Sequence, residues 1–266
     1  MVAVLVGGLL VDILGIDVAF LIVAAAMLAC IPIVSLISED EHHSVVEQTK
    51  DRVNSRFSLW PMILGTNDGD IVLKRKILSV NYTRFTHTFA VSGLVTATLG
   101  LLLKERIGET LAVNDLTLGI ATFTGIILAI SWSGEVISSS YIGRISDRFG
   151  RKPVLLLCLP VMTIGLLSLM VDNAFVPVLV VPMIFLATTA GKVTLDASAG
   201  DLSPEADKAH VMSRYSTWSD LGSASGPVVG YGLINIVGLH WIYIISSLFI
   251  ASGVMLYLIA NRSVKS

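Results

Sequence analysis

The sequence predicts an all-α membrane protein with about eight transmembrane segments, and three observations carry that prediction. Hydrophobic residues make up 54% of the 266 residues and charged ones 14%, where a soluble domain carries about a quarter charged residues. The apolar residues gather into runs of roughly 20 or more, enough to cross about 30 Å of hydrocarbon. Lys and Arg then fall on alternate connections between those runs. The mean hydropathy of +0.80 agrees. A formal net charge of −2 supplies no global field for nucleic acid or for an acidic ligand.

In chain order the runs are Val2 to Leu14, Val18 to Ile37, Leu78 to Leu103, Leu116 to Ile142, Val154 to Val171, Phe175 to Ala199, Tyr215 to Val237 and Trp241 to Ala260. The first holds about 13 apolar residues, some 20 Å of helix, and is too short to span. It has neither the basic flank nor the small-residue cleavage site of a signal peptide, so it is expected to be a helix whose beginning is missing. Cys30 and Cys158 both sit inside apolar runs, where they act as small hydrophobes.

Orientation follows from the basic residues. With the long connection Ser38 to Ile77 in the cytoplasm, that side collects Lys50, Arg52, Arg56, Lys74, Arg75, Lys76, Arg144, Arg148, Arg151, Lys152, Lys208, Arg214, Arg262 and Lys265, fourteen of the eighteen. The outer side keeps Lys104 and Arg106, and Arg84 and Lys192 lie within spans. The C-terminus is therefore expected in the cytoplasm. In the central connection, Glu39, Asp40, Glu41, His42 and His43 read as a solvated linker rather than a metal site, and Phe57, Leu59, Trp60 and Met62 as a stretch lying on the membrane surface.

A weak internal repeat links the two ends of the chain. Shifted by 223 positions without a gap, Gly7 falls on Gly230, Leu10 on Leu233, Asp12 on Asn235, Ile13 on Ile236, Gly15 on Gly238 and Phe20 on Tyr243. Such repeats are the usual sequence trace of transporter architecture.

Ionisable residues at membrane depth cost at least about 2.5 kcal/mol each and are functional candidates by default. They are Asp12, Arg84, His87, Glu135, Lys192, Asp196 and Asp220. Lys192 and Asp196, one turn apart, have a structural reading as a neutralising pair. Glu135 is read two ways, as the carrier of a coupling proton or as a static partner of Arg84 or Lys192. Arg84 is either a solute ligand or a side chain that snorkels to the nearby surface. The run Arg84, Thr88, Ser92 and Thr96 at four-residue spacing, with His87 beside it, forms a polar stripe, whereas the last run is nearly all apolar.

Between the fourth and fifth runs lies Gly143, Arg144, Ile145, Ser146, Asp147, Arg148, Phe149, Gly150, Arg151, Lys152, Pro153. This resembles the signature G-x-x-x-D-R-x-G-R-[KR] of the major facilitator superfamily, matched at every fixed position. Gly222, Gly226, Pro227 and Gly230 are similar to the small-residue, helix-packing pattern of that family's fifth helix in each half. The resemblance implies an MFS-type helical bundle in three parts. Residues 1–37 would be the last two helices of the N-terminal half, 38–77 the central cytoplasmic loop, and 78–266 the six-helix C-terminal half.

The first four helices have no counterpart here, so a fragment of a protein of roughly 410 residues is expected, with the missing N-terminal helices supplied by the full-length chain. The family signature joins two helices on the cytoplasmic face. Gly143 and Gly150 permit close approach and a sharp reversal, and the resemblance places Asp147 at the positive N-terminal end of the helix that begins near Arg214. Arg148, Arg151 and Lys152 hold the loop at the anionic surface, and for Arg151 and Lys152 an anchoring and a gating role both stand. The resemblance also puts the helices bearing Arg84 and Lys192 on a central cavity.

The expected function is a secondary active transporter or facilitator that moves a small solute by alternating access, with or without H+ coupling, in contact with membrane lipids of the plasma membrane. No P-loop and no metal-ligand cluster is present, so no cofactor, enzymatic chemistry or nucleic-acid partner is expected. Arg84, His87, Glu135, Lys192 and Asp196 form the candidate solute or proton pathway. A non-transporting receptor or assembly subunit of the same fold, or an inactive truncated product, are the alternatives.

Overall fold

The computed structural model describes residues 2–37, 71–113, 116–203 and 208–261. The expectations placed on Glu39 to His43 and on Phe57 to Met62 lie outside the described residues. Helices α1 (Val2–Leu14) and α2 (Ile16–Ile37) come first. A long membrane-crossing element then runs as α3 (Ile71–His87), a π-helical stretch (Thr88–Val95) and α4 (Thr96–Ile107). A two-stranded antiparallel hairpin, β1 (Thr110–Val113) and β2 (Leu116–Gly119), leads into α5 (Ile120–Phe149), α6 (Arg151–Ser168), α7 (Val176–Leu202), α8 (Lys208–Val237) and α9 (Leu239–Ala260).

Among the described residues, five stretches are long and apolar enough to cross a membrane: Val72–Ile107, Ile120–Phe149, Arg151–Ser168, Val176–Leu202 and Leu239–Ala260. Helix α8 has the length, 30 residues, but not the hydropathy. Its composition explains the difference, because the face it buries is glycine (Gly222, Gly226, Gly230) rather than leucine. Many large apolar side chains, among them Ile137, Leu157, Ile164, Leu179, Val228 and Leu248, are exposed, as hydrocarbon-facing positions of a multi-pass protein require.

The helix breaks have a local cause. Gly15 and Gly238 both adopt left-handed backbone, φ 82° and 79°, between α1 and α2 and between α8 and α9. They lie 223 positions apart, the offset of the sequence repeat, so both copies end one helix and begin the next on the same residue. The signature motif differs from a loop: residues 143–149 continue α5, and the reversal is made by Gly150 alone, at φ 88°. Only a residue without Cβ takes that backbone cheaply.

One buried cluster joins Leu94, Leu99, Leu103, Met162, Leu166, Ile184 and Tyr243, and a smaller one, toward the end that carries the signature, joins Val80, Leu155, Leu195, Val254 and Tyr257. Helix α8 lies directly on the π-helical stretch. A Cβ on Gly226 would fall 2.6 Å from the Gly93 Cα, and one on Gly222 would fall 2.6 Å from the Phe85 carbonyl oxygen. The glycine row therefore packs backbone on backbone, the membrane form of helix association. In the π-helical stretch the Thr96 hydroxyl donates to the Val91 carbonyl, five residues back, at 3.0 Å.

A π turn is wider than an α turn, so the polar stripe expected at four-residue spacing does not stay on one face. Thr88 is buried and donates to the Arg84 and Phe85 carbonyls, Ser92 is exposed, and Thr96 is in between. Asp12, an intramembrane candidate in sequence, is accounted for by capping. Its carboxylate accepts the Thr122 backbone N–H at 2.7 Å, one of the donors that the start of α5 leaves unsatisfied.

Candidate functional site

Two helices bring the first pair of candidate residues together. Glu135 lies about 21 Å from the Phe149 end of α5, and Lys192 about 15 Å from the Leu202 end of α7, at 1.5 Å per residue. The Lys192 ammonium donates to the Glu135 carboxylate at 3.0 Å. Of the two partners expected for a static Glu135, the geometry gives Lys192 rather than Arg84. The side chains are 28% exposed for Glu135 and 42% for Lys192, so the pair is partly open rather than sealed in the core.

Asp196 pairs differently from the sequence expectation. Although it lies one turn from Lys192, it accepts a hydrogen bond from the Tyr215 hydroxyl on α8, because Lys192 is drawn to Glu135. The Tyr215 ring lies under the Arg84 guanidinium, 5.7 Å from ring centre to guanidinium carbon, within cation–π range. Arg84 does not snorkel. It is 7% exposed, and its Nε donates to the Ser219 hydroxyl at 3.2 Å. Among the described residues the ion pairs are Lys104–Glu109, Arg151–Asp201 and Lys192–Glu135, so Arg84 has no carboxylate partner there.

Arg84, Tyr215, Ser219 and Asp196 thus tie α3, α8 and α7 together. Tyr215 and Ser219 are the members that sequence reasoning missed. Their signal is the four-residue spacing that carries them, on the same side of α8, toward Gly222 and Gly226.

His87 is fully buried and occupies a slot that exists because residue 191 is glycine. A Cβ there would fall 2.7 Å from the imidazole Cε1. Both ring nitrogens lack a hydrogen-bond partner among the described residues. His87 is therefore set apart from the Glu135–Lys192 pair, not joined to it.

The signature residues hold the other ends of the helices. Arg151 donates to the Ala197 carbonyl at 2.6 Å and pairs with Asp201, both on α7. Lys152 donates to the Asn261 carbonyl at the end of α9. Cations at helix C-termini stabilise the dipole and satisfy carbonyls. Arg144 and Arg148 are exposed over the rings of Tyr141 and Phe149. Asp147 is exposed and meets no donor among the described residues. Residues 204–207, which precede α8, lie outside them. Gly143 approaches α7, with an ideal Cβ 3.9 Å from Val193.

Comparison with known proteins agrees with this architecture. A solved POT family transporter in complex with 5-aminolevulinic acid superposes with a TM-score of 0.56 at 16% identity, over 93% of this chain and 54% of that one. A second POT family structure, in complex with a thioalcohol conjugated peptide, gives 0.53 at 16% identity, again over 93% and 54%. These likenesses show the fold alone.

Among curated proteins, the class E tetracycline resistance protein of Escherichia coli is 31% identical over 139 residues, 52% of this chain and 32% of that protein. The class H protein of Pasteurella multocida is 28% identical over 157 residues, 59% of this chain and 37% of that protein. The class D protein of Salmonella ordonez is 28% identical over 181 residues, 65% and 42%. The chain thus spans less than half the length of these relatives. The model of the Major Facilitator Superfamily matches residues 85–266, more than half of the sequence, and on that match this multi-pass membrane chain belongs to the Major Facilitator Superfamily.

Proposed function

We propose that the chain supplies one wall of a solute carrier that works by alternating access, with α3, α5, α7 and α8 lining the cleft. The observation that carries this reading is the Glu135–Lys192 pair, held well inside its two helices with both side chains partly exposed. A charge pair in that position is expensive unless it meets a polar passenger or water. Arg84, Tyr215 and Asp196 extend the polar lining toward the signature end. In this reading residues 1–37 belong to the N-terminal half, 38–77 form the central loop and 78–266 the C-terminal half. The end bearing Arg144, Arg148, Arg151 and Lys152 faces the cytoplasm of a plasma-membrane protein, as does the C-terminus. Glu135 carries a coupling proton when it lets go of Lys192, and the signature staples of Arg151 and Lys152 break and reform as the bundles rock.

The relatives named for tetracycline resistance make tetracycline the first solute to try. The full-length gene product, reconstituted in liposomes preloaded with unlabelled solute, is expected to accumulate labelled solute transiently against its gradient. Tetracycline and a panel of small amines, carboxylates and amino acids form the test set. Counterflow separates a carrier from a receptor or a pore. Its absence across the panel, in protein shown to be folded, would count against the carrier reading.

A further inference from the structure

We propose that the cleft takes a zwitterionic solute, with Arg84 receiving its anionic group and Asp220 its protonated amine. The inference rests on the carrier reading and names the solute class for that site. Arg84 and Asp220 lie about 20 Å and 18 Å into α3 and α8, counted at 1.5 Å per residue from Ile71 and Lys208. The Arg84–Ser219 hydrogen bond fixes these two helices at the same depth, and Asp220 is the next residue after Ser219.

The other intramembrane ionisable groups, the buried His87 apart, are satisfied within the protein. Glu135 and Lys192 pair with each other, Asp196 accepts from Tyr215, and Asp12 caps α5. Arg84 and Asp220 are left, one of each sign. The Arg84 guanidinium stacks on the Tyr215 ring and is hydrogen-bonded only through Nε among the described residues, so its Nη fork has no acceptor there, and an oxyanion is the group that this geometry suits. The Asp220 carboxylate is exposed and meets no described donor. It stands on the stripe Ser213, Ser216, Asp220, Ala224 of α8, small or polar residues that are all exposed, whereas hydrocarbon-facing positions further along are Val228 and Ile236. An unneutralised charge of each sign, flanking one serine at one depth, is complementary to a molecule that carries both.

The test uses the full-length gene product in nanodiscs and four probes of one length: 5-aminopentanoate, pentanoate, pentylamine and pentanamide. Ligand-detected NMR ranks their affinities. The zwitterion is expected to bind about tenfold or more tighter than either singly charged probe, as charge-assisted hydrogen bonds imply. Arg84→Gln should reduce 5-aminopentanoate to the level of pentylamine, and Asp220→Asn should reduce it to the level of pentanoate. Arg84→Lys, which keeps the charge and loses the fork, should retain part of the preference and serves if the glutamine variant does not fold. The preference should persist in nanodiscs of phosphatidylglycerol alone, which separates a solute from a zwitterionic lipid headgroup.

Equal affinities for all four probes in the wild type would overturn the proposal, as would an unchanged preference in Arg84→Gln, or one that appears only with phosphatidylethanolamine present. Zwitterion binding without counterflow of any solute would instead uphold this site and count against the carrier reading.

Discussion

Gly226→Leu is expected to abolish the folded protein, and the contrast with a neighbouring glycine makes the result specific. The Cβ of any residue at 226 would lie 2.6 Å from the Gly93 Cα and 2.7 Å from the Leu94 nitrogen and the Phe89 oxygen. Those neighbours are backbone of the π-helical stretch and cannot rotate aside. Overpacking costs about 1–3 kcal/mol where side chains can yield. Against backbone the cost is greater, and marginal stability turns it into loss of the folded state. Gly232, on the same helix, has nothing within 4 Å of its ideal Cβ. Gly232→Leu should therefore elute and melt like the wild type, while Gly226→Leu should lose about tenfold or more of its monodisperse yield. Equal yields of the two variants would show that α8 does not lie on the π-helical stretch.

On the proposed carrier reading, Glu135→Gln in the full-length gene product is expected to separate two transport modes, net flux and exchange. The glutamine mimics the protonated acid permanently, so net flux driven by a pH gradient should fall by about tenfold or more, a barrier increase of roughly 1.4 kcal/mol. Exchange of solute for solute should persist, because it needs only the loaded carrier to reorient. The structure sharpens the alternative. Glu135 is bonded to Lys192, and a purely static pair predicts that removing one partner damages both modes by leaving the other charge uncompensated. The static pair also predicts that Glu135→Gln combined with Lys192→Gln recovers net flux, whereas a proton-carrying acid predicts that it does not. An unchanged ratio of exchange to net flux, at equal abundance in the membrane, would remove Glu135 from coupling and direct attention to Asp196 and His87.

Most of the fold was legible because its determinants are local. Apolar runs between charged connections located the helices but not their ends: the run Leu78 to Leu103 lies within Ile71–Ile107, and Leu116 to Ile142 is observed as Ile120–Phe149 after a strand. What was not legible depends on helix rotation. The spacing of Arg84, Thr88, Ser92 and Thr96 assumes an unbroken α-helix, and the π-helical stretch that disperses it packs against the glycines of α8. Lys192 and Asp196 look like a pair in one dimension, yet Glu135 from α5 outcompetes Asp196 for the ammonium and Tyr215 from α8 takes the aspartate. Arg84, near the start of the apolar run at Leu78 but well inside α3, lies against Tyr215 and Ser219 where α3 packs on α8. Each depended on a partner from another helix, which no single segment encodes.

The central claim is that the layer of Glu135 and Lys192 faces each side of the membrane in turn, and one locked variant tests it directly. Ser139 is one turn along α5 from Glu135, and Ser139→Cys, in a protein lacking Cys30 and Cys158, places a thiol beside that layer. At the other end of α5 the Asp12 carboxylate sits against the position that a Cβ on Gly119 would take. Asp12→Cys with Gly119→Cys can therefore close a disulfide between α1 and the start of α5. Sealed vesicles of either orientation are treated with a membrane-impermeant thiol reagent. Alternating access predicts that the thiol introduced by Ser139→Cys reacts from both sides before the lock and only from the signature side after it, with reduction restoring both. Reaction from both sides with the lock closed, or from one side throughout, would contradict the account.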